Sequence, residues 1–191
     1  MTTDEAREQI LVAAEELYYV KGFAAVGMDE LRTAAGVSLR RLYGLFPSKE
    51  DIVVAVLQRR HEEWEAAVRG RVDAAGADPR EQLLAVYDYL SDWFCTGTFR
   101  GCAFINAFGE LGGTNPGVAR RVREHKESFQ RYMAGLVRNL GGSELLAAQL
   151  SILAEGAQST AAISSNPEAA HQARAAAEVL IDVALEAKKA A

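Results

Sequence analysis

The stretch MDELRTAAGVSLRRLYGLFPSK, residues 28–49, decides how this chain is read. Met28 to Ala35 is made of helix formers around Leu31. Gly36 stands where a helix end calls for positive φ. Val37 is placed to plug the gap between two helices. Ser38 is a good N-cap for a second helix from Leu39 to about Phe46. Pro47 stops that helix, because its ring blocks the next turn. Helix, short glycine-containing turn, helix is the helix-turn-helix pattern. Its DNA-binding form lays the second helix in the major groove.

At about 100° per residue, the second helix has two faces. Leu39, Leu42, Leu45 and Phe46 gather on one side, and Arg40, Arg41, Tyr43 and Gly44 on the other. Arginine can grip a guanine edge or a phosphate, and a tyrosine hydroxyl can bond phosphate. Gly44 costs roughly 1 kcal/mol of helix propensity relative to Ala, and its missing side chain leaves room for a groove wall. An ordinary amphipathic helix with two solvated arginines has the same pattern, so the face alone leaves both readings open. Charge favours nucleic acid. Between Leu31 and Lys49 lie four bases (Arg32, Arg40, Arg41, Lys49) and no acid, in a chain of net charge −5. Local positive charge suits backbone phosphates, and overall acidity reduces indiscriminate binding.

The 191 residues, 49% hydrophobic and 25% charged, suffice for one or two small globular domains. No apolar run nears the roughly 20 residues of a membrane span, and MTTDEAREQ does not resemble a signal peptide. Cys95 and Cys102 make no disulfide framework, so a reducing, cytoplasmic location is expected. A redox role would need exposed, acidic thiols; buried, inert cysteines are commoner. His61, His125 and His171 share no ligand spacing, so neither a metal nor a cofactor is expected. With no nucleophile elbow and no phosphate loop, an enzyme is not expected.

Taken in order, Thr2 and Glu5 have capping-box spacing for a first helix ending at Gly22, with Phe23 as a core plug. A fourth helix opens at Ser48 and carries Ile52, Val53, Val56, Leu57, Trp64 and Val68 at helical spacing. Residues 70–79 read as a linker. Asp78, Pro79 and Glu81 open a fifth helix through Phe94. Asn106 and Glu110 share one face of an otherwise apolar sixth helix, as polar anchors of a pocket or as polar positions bonded to neighbouring helices or solvent. A seventh helix runs from Asn115-Pro116 to about Leu140. Its basic run Arg120, Arg121, Arg123 is mixed with Glu124 and Glu127, which favours a solvated face. Ser143 and Asn166-Pro167 open two alanine-rich helices. Their stripe Leu150, Leu153, Ala157, Ala161, Ala173, Ala176, Leu180 and Val183 could face a second chain across a twofold axis or pack within its own.

The segment ILVAAEELYYVKGFAAVGMDELRTAAGVSLRRLYGLFPSKEDIV, Ile10 to Val53, resembles the TetR family of transcription regulators. It carries that family's Gly-Phe after the first helix and its Ala-Gly-Val-Ser turn. Leu-Tyr with Phe three residues on, then Ser-Lys-Glu opening the fourth helix, complete the match. The resemblance implies base and phosphate contacts from Arg40 and Arg41, and phosphate contacts from Tyr43, Lys49 and Ser38. Three positions depart from the pattern: Gly27 replaces a capping Ser or Thr, Leu39 a polar residue, and Gly44-Leu45 a larger pair. Arg32, where Ala is usual, is a candidate replacement contact. The resemblance also implies a four-helix dimer interface and a pendulum-like shift of the fourth helix on effector binding.

The expectation is therefore an all-α chain. Residues 1–47 form a three-helix DNA-binding domain and 48–191 a helical effector-binding and dimerisation domain. The function expected is a dimeric repressor released from a palindromic double-stranded operator by a small hydrophobic or amphipathic effector. The candidate effector residues are Trp64, Tyr87, Phe94, Phe104, Asn106, Phe108, Glu110 and Phe129. The alternative is a small-molecule-binding bundle with a vestigial head.

Overall fold

The computed structural model describes residues 2–190, which form nine α-helices. They are α1 (Thr3–Lys21), α2 (Met28–Ala34), α3 (Leu39–Leu45), α4 (Lys49–Ala74) and α5 (Pro79–Phe94). Then follow α6 (Ala103–Leu111), α7 (Pro116–Leu140), α8 (Glu144–Ser164) and α9 (Glu168–Ala190). Local chemistry sets most of the ends. Thr2 and Glu5 form a complete capping box on α1, and Gly22 ends it at φ 88°. Ser38, Asp78 and Ser143 cap α3, α5 and α8 through side-chain oxygens. Ser48 and Asp51 bond each other's backbone N–H groups at the start of α4.

The expected linker at 70–79 is shorter than read. Helix α4 continues to Ala74 because Val72 is buried in a core, and only residues 75–78 remain as connection. Burial of that valine outweighs the helix penalty of Gly70 and the polar look of the stretch.

Among the described residues, 2–62 with 102–125 form one compact unit and 63–101 with 126–190 a second. In the first, α1, α2 and α3 share a core with the first half of α4, with α6 and with the opening turns of α7. Ile10, Leu31, Leu42, Ile52 and Leu57 lie beside Cys102, Phe104, Ala107, Val118 and Val122. This partition by packing differs from the division expected at residue 47, because three short helices do not enclose a core of their own. In the second unit α5, α8 and α9 pack on one another. Small residues Ala154, Ala170 and Ala177 are fully buried there, and they let the helices approach closely around Leu83, Leu84, Leu150 and Ile181.

Tyr87 is fully buried, and its hydroxyl donates to the carbonyl of Leu150 at 2.7 Å. Burial pushes its phenol well above the ordinary tyrosine value. The Tyr87→Phe variant is expected to lose about 1 kcal/mol, the net worth of one neutral hydrogen bond. Chemical denaturation would show this as a lower midpoint at unchanged slope; an unmoved midpoint would assign the bond no net stability.

Candidate nucleic-acid interface

The turn before α3 folds as its residues dictate. Gly36 sits at φ 65°, and the N–H groups of Gly36 and Val37 close back onto the carbonyls of Thr33 and Arg32. Val37 is buried between the two helices. Ser38 Oγ accepts the Arg41 N–H at 3.2 Å and starts α3. Leu42 and Phe46 then anchor α3 in the core. Helix α3 is thereby fixed with Arg40, Tyr43 and Gly44 outward, and Tyr43 is 47% exposed. A Cβ built on Gly44 would meet nothing within 4 Å. No neighbour inside the chain asks for glycine at that position.

The other expected contacts are engaged within the protein. Arg41 is only half-exposed, and its Nη2 donates to the carbonyl of Thr2 at 2.7 Å. The helical wheel placed it outward, but it borders the apolar side and reaches the N-cap of α1. Arg32 pairs with Asp29 one turn back at 2.8 Å, so its charge is matched on the same helix. The acid just outside the acid-free stretch thus returns in three dimensions. Lys49 Nζ donates to the carbonyl of Ala24 at 2.9 Å. Burial is the main cause holding its ammonium below the usual lysine range, opposed by the charges of Glu50 and Glu110. An ammonium carries three donors, so one bond to Ala24 leaves it able to bond phosphate. Gly27, as expected, gives α2 no side-chain cap.

The candidate effector residues divide between the two units. Trp64, Tyr87, Phe94 and Phe129 lie in the second, where Tyr87, Phe94 and Phe129 are core residues. Trp64 meets Phe129 edge-on at 5.3 Å. Phe94 borders a cleft of 390 Å³ with Phe99, Ala161 and Pro167. Phe104, Asn106, Phe108 and Glu110 lie on α6 in the first unit. Phe104 is buried, while Asn106, Phe108 and Glu110 are exposed. Of the two readings of Glu110, the bond that the structure contains is one to the protein itself: its Oε2 accepts the Ala24 N–H at 2.7 Å. Residue spacing within α6 could not reveal a partner 86 positions away.

Of the two readings of the alanine-rich stripe, packing within its own chain accounts for most of it. Leu150, Ala157, Ala161 and Ala173 are buried in their own chain, Leu153 and Leu180 are half-buried, and only Ala176 and Val183 are exposed. Small residues allow close packing, and here α8 and α9 use them on each other. The outward apolar residues of these helices include Ile152 (71% exposed), Ile163 (87%) and Val179 (63%).

Two further features escaped the sequence. His61 and His125 stand with their Nδ1 atoms 3.0 Å apart, and Phe104 stacks on the buried His125 at 3.5 Å. A separation of 64 residues carries no sequence signal for that pairing. Arg121, read as part of a solvated face, keeps only 12% of its side chain exposed. Cys95 is exposed and Cys102 is buried. Among the described residues no three His, Cys, Asp or Glu are placed to hold a metal, and no helix is long and apolar enough to cross a membrane.

Residues 10–56 match the family described as bacterial regulatory proteins, tetR family. Over 141 residues the chain is 34% identical to the HTH-type transcriptional activator FasR of Mycolicibacterium smegmatis, covering 74% of this chain and 63% of that one. That match therefore spans less than two thirds of the relative's length. An uncharacterized HTH-type transcriptional regulator of Mycobacterium tuberculosis is 34% identical over 146 residues, covering 63% of this chain and 71% of that one. The crystal structure of a TetR-family transcriptional regulator from Streptomyces coelicolor superposes with a TM-score of 0.84 at 26% identity, over 95% of this chain and 97% of the other. A likeness that begins in the helix-turn-helix and continues along nearly the whole backbone is one of descent, and the chain belongs to the TetR family of bacterial regulatory proteins.

Proposed function

We propose that this protein is a dimeric, DNA-binding transcription regulator acting in the cytoplasm, whose operator affinity is altered by a small-molecule effector. The outward, acid-free face of α3 carries the reading. Arg40 supplies the exposed guanidinium, Tyr43 an exposed hydroxyl, and Gly44 a gap in the helix surface. Ser38 and Lys49 flank that face. Lys49 serves as a backbone-phosphate contact that positions α3 without reading sequence. Arg41 supports the head from within and reads bases less directly than Arg40. The set of DNA contacts thus narrows to Arg40, Tyr43, Gly44, Ser38 and Lys49, with Arg32 a lesser candidate because of Asp29.

Two heads are needed to read a twofold operator. The outward faces of α8 and α9, with Leu145, Ile152, Ile163, Val179 and Val183 exposed, fit a self-complementary contact better than the buried stripe does. Regulation follows from linkage: an effector that prefers one conformation of the dimer changes DNA affinity by its differential binding. Because FasR is named an activator, the reading covers DNA binding and its control, and a reporter assay assigns the sign.

Selection from a random duplex pool should enrich a twofold-symmetric motif. If Arg40 grips a guanine, Arg40→Ala should cost about 1–3 kcal/mol and relax specificity at that base. Failure of the folded protein to enrich any motif at low salt would contradict the reading. Gly44→Ala separates the two interpretations of α3. It should stabilise the free protein by roughly 1 kcal/mol, the helix-propensity gain, while weakening operator binding. Stabilisation with unchanged DNA affinity would mean that no groove wall approaches Gly44. For the dimer, Val179→Asp should yield folded monomers in sedimentation; an undisturbed dimer would remove the outward α9 face from the interface.

A further inference from the structure

The loop between α1 and α2 is held by groups far away in sequence. Oε2 of Glu110, on α6, accepts the Ala24 N–H at 2.7 Å. The carbonyl of the same residue accepts from Lys49 Nζ, on the first residue of α4, at 2.9 Å. Both backbone polar groups of Ala24 are therefore engaged, one by α6 and one by α4. Gly22 brings the chain past the carboxylate. At φ 88° it adopts a conformation that L side chains avoid, and a Cβ there would stand 3.0 Å from Oε2. Phe23 is buried and stacks on Tyr18 at 5.1 Å. Lys21 pairs with Glu30 across the loop.

No side-chain cap sets the junction from this loop into α2. Its N-cap Gly27 makes no side-chain hydrogen bond, whereas α1 and α3 each have one. An exposed N–H such as that of Ala24 could be satisfied by water, so what the Glu110 bond supplies is location. We propose that Glu110 is a positioning residue for DNA binding, fixing the α1–α2 loop and, through the Ala24 carbonyl, the place of the Lys49 ammonium. This inference rests on the DNA-binding reading above. It assigns Glu110 to the head although its helix lies in the segment expected to bind effector. The opposite role, a carboxylate that repels phosphate, predicts effects of opposite sign.

The test compares wild type, Lys49→Ala, Glu110→Ala, Glu110→Gln and the Lys49→Ala/Glu110→Ala double variant on a mixed-sequence duplex at low salt. A phosphate contact is sequence-independent, so no operator is required. Glu110→Ala should weaken binding about tenfold, the scale of one bond to a charged group. In Glu110→Gln the amide oxygen can accept the same N–H, and affinity should be largely restored. The double variant should bind no more weakly than Lys49→Ala, because both act through one contact. The Ala24 amide should exchange its hydrogen faster in Glu110→Ala than in wild type or Glu110→Gln, with melting curves confirming that each variant is folded. Glu110→Ala binding as well as or better than wild type, additivity in the double variant, or unchanged Ala24 exchange would each overturn the proposal. Wild type that leaves the duplex unbound would mark failure of the DNA reading itself, a result distinct from variants that bind alike.

Discussion

Helices of seven residues do not persist in water by themselves, because nucleating a turn costs more than so few hydrogen bonds return. Both α2 and α3 have that length. The exposed face of α3 therefore exists only through what α3 buries. Leu42 and Phe46 enter a core that also takes in Ile10, Leu31, Ile52 and Leu57. That core extends to Phe104 and Ala107 on α6 and to Val118 and Val122 on α7. The outward face of α3 is therefore held by residues that lie as far apart in the chain as Ile10 and Val122.

Polar contacts refine what the core supports. Arg41 and Lys49 spend part of their donor capacity on backbone carbonyls of Thr2 and Ala24. Such groups are less mobile than solvated side chains, and less rotamer freedom remains to be lost when a phosphate or base arrives. Arg40 and Tyr43 remain outward. The face thus combines ordered flanks with adaptable central groups, an arrangement suited to fixing register before reading sequence.

The second unit solves a different problem. Alanines at Ala154, Ala157, Ala170, Ala173 and Ala177 bring α5, α8 and α9 close together. Once those small residues are buried, Ile152, Ile163 and Val179 are among the apolar residues that α8 and α9 leave outside. Composition announced close helix packing. It could not say against which partner, because an alanine fits equally well beneath its own neighbour or a second chain.

Local chemistry made much of the fold legible in the sequence. Thr2 with Glu5, Gly36 before Ser38, Asp78 before Pro79, and Ser143 each act within about one helical turn, and each marked a helix end that the structure contains. The two faces of α3 were legible for the same reason, since their period is that of the helix itself. Only the tertiary structure decided that Arg41 turns toward Thr2, that Glu110 grips the α1–α2 loop and that His61 meets His125. It also decided that α4 runs on to Ala74. Those contacts join residues 39, 86 and 64 positions apart, or depend on one buried valine. Short-range rules of spacing, capping and periodicity have no term for which distant surfaces the core will bring together.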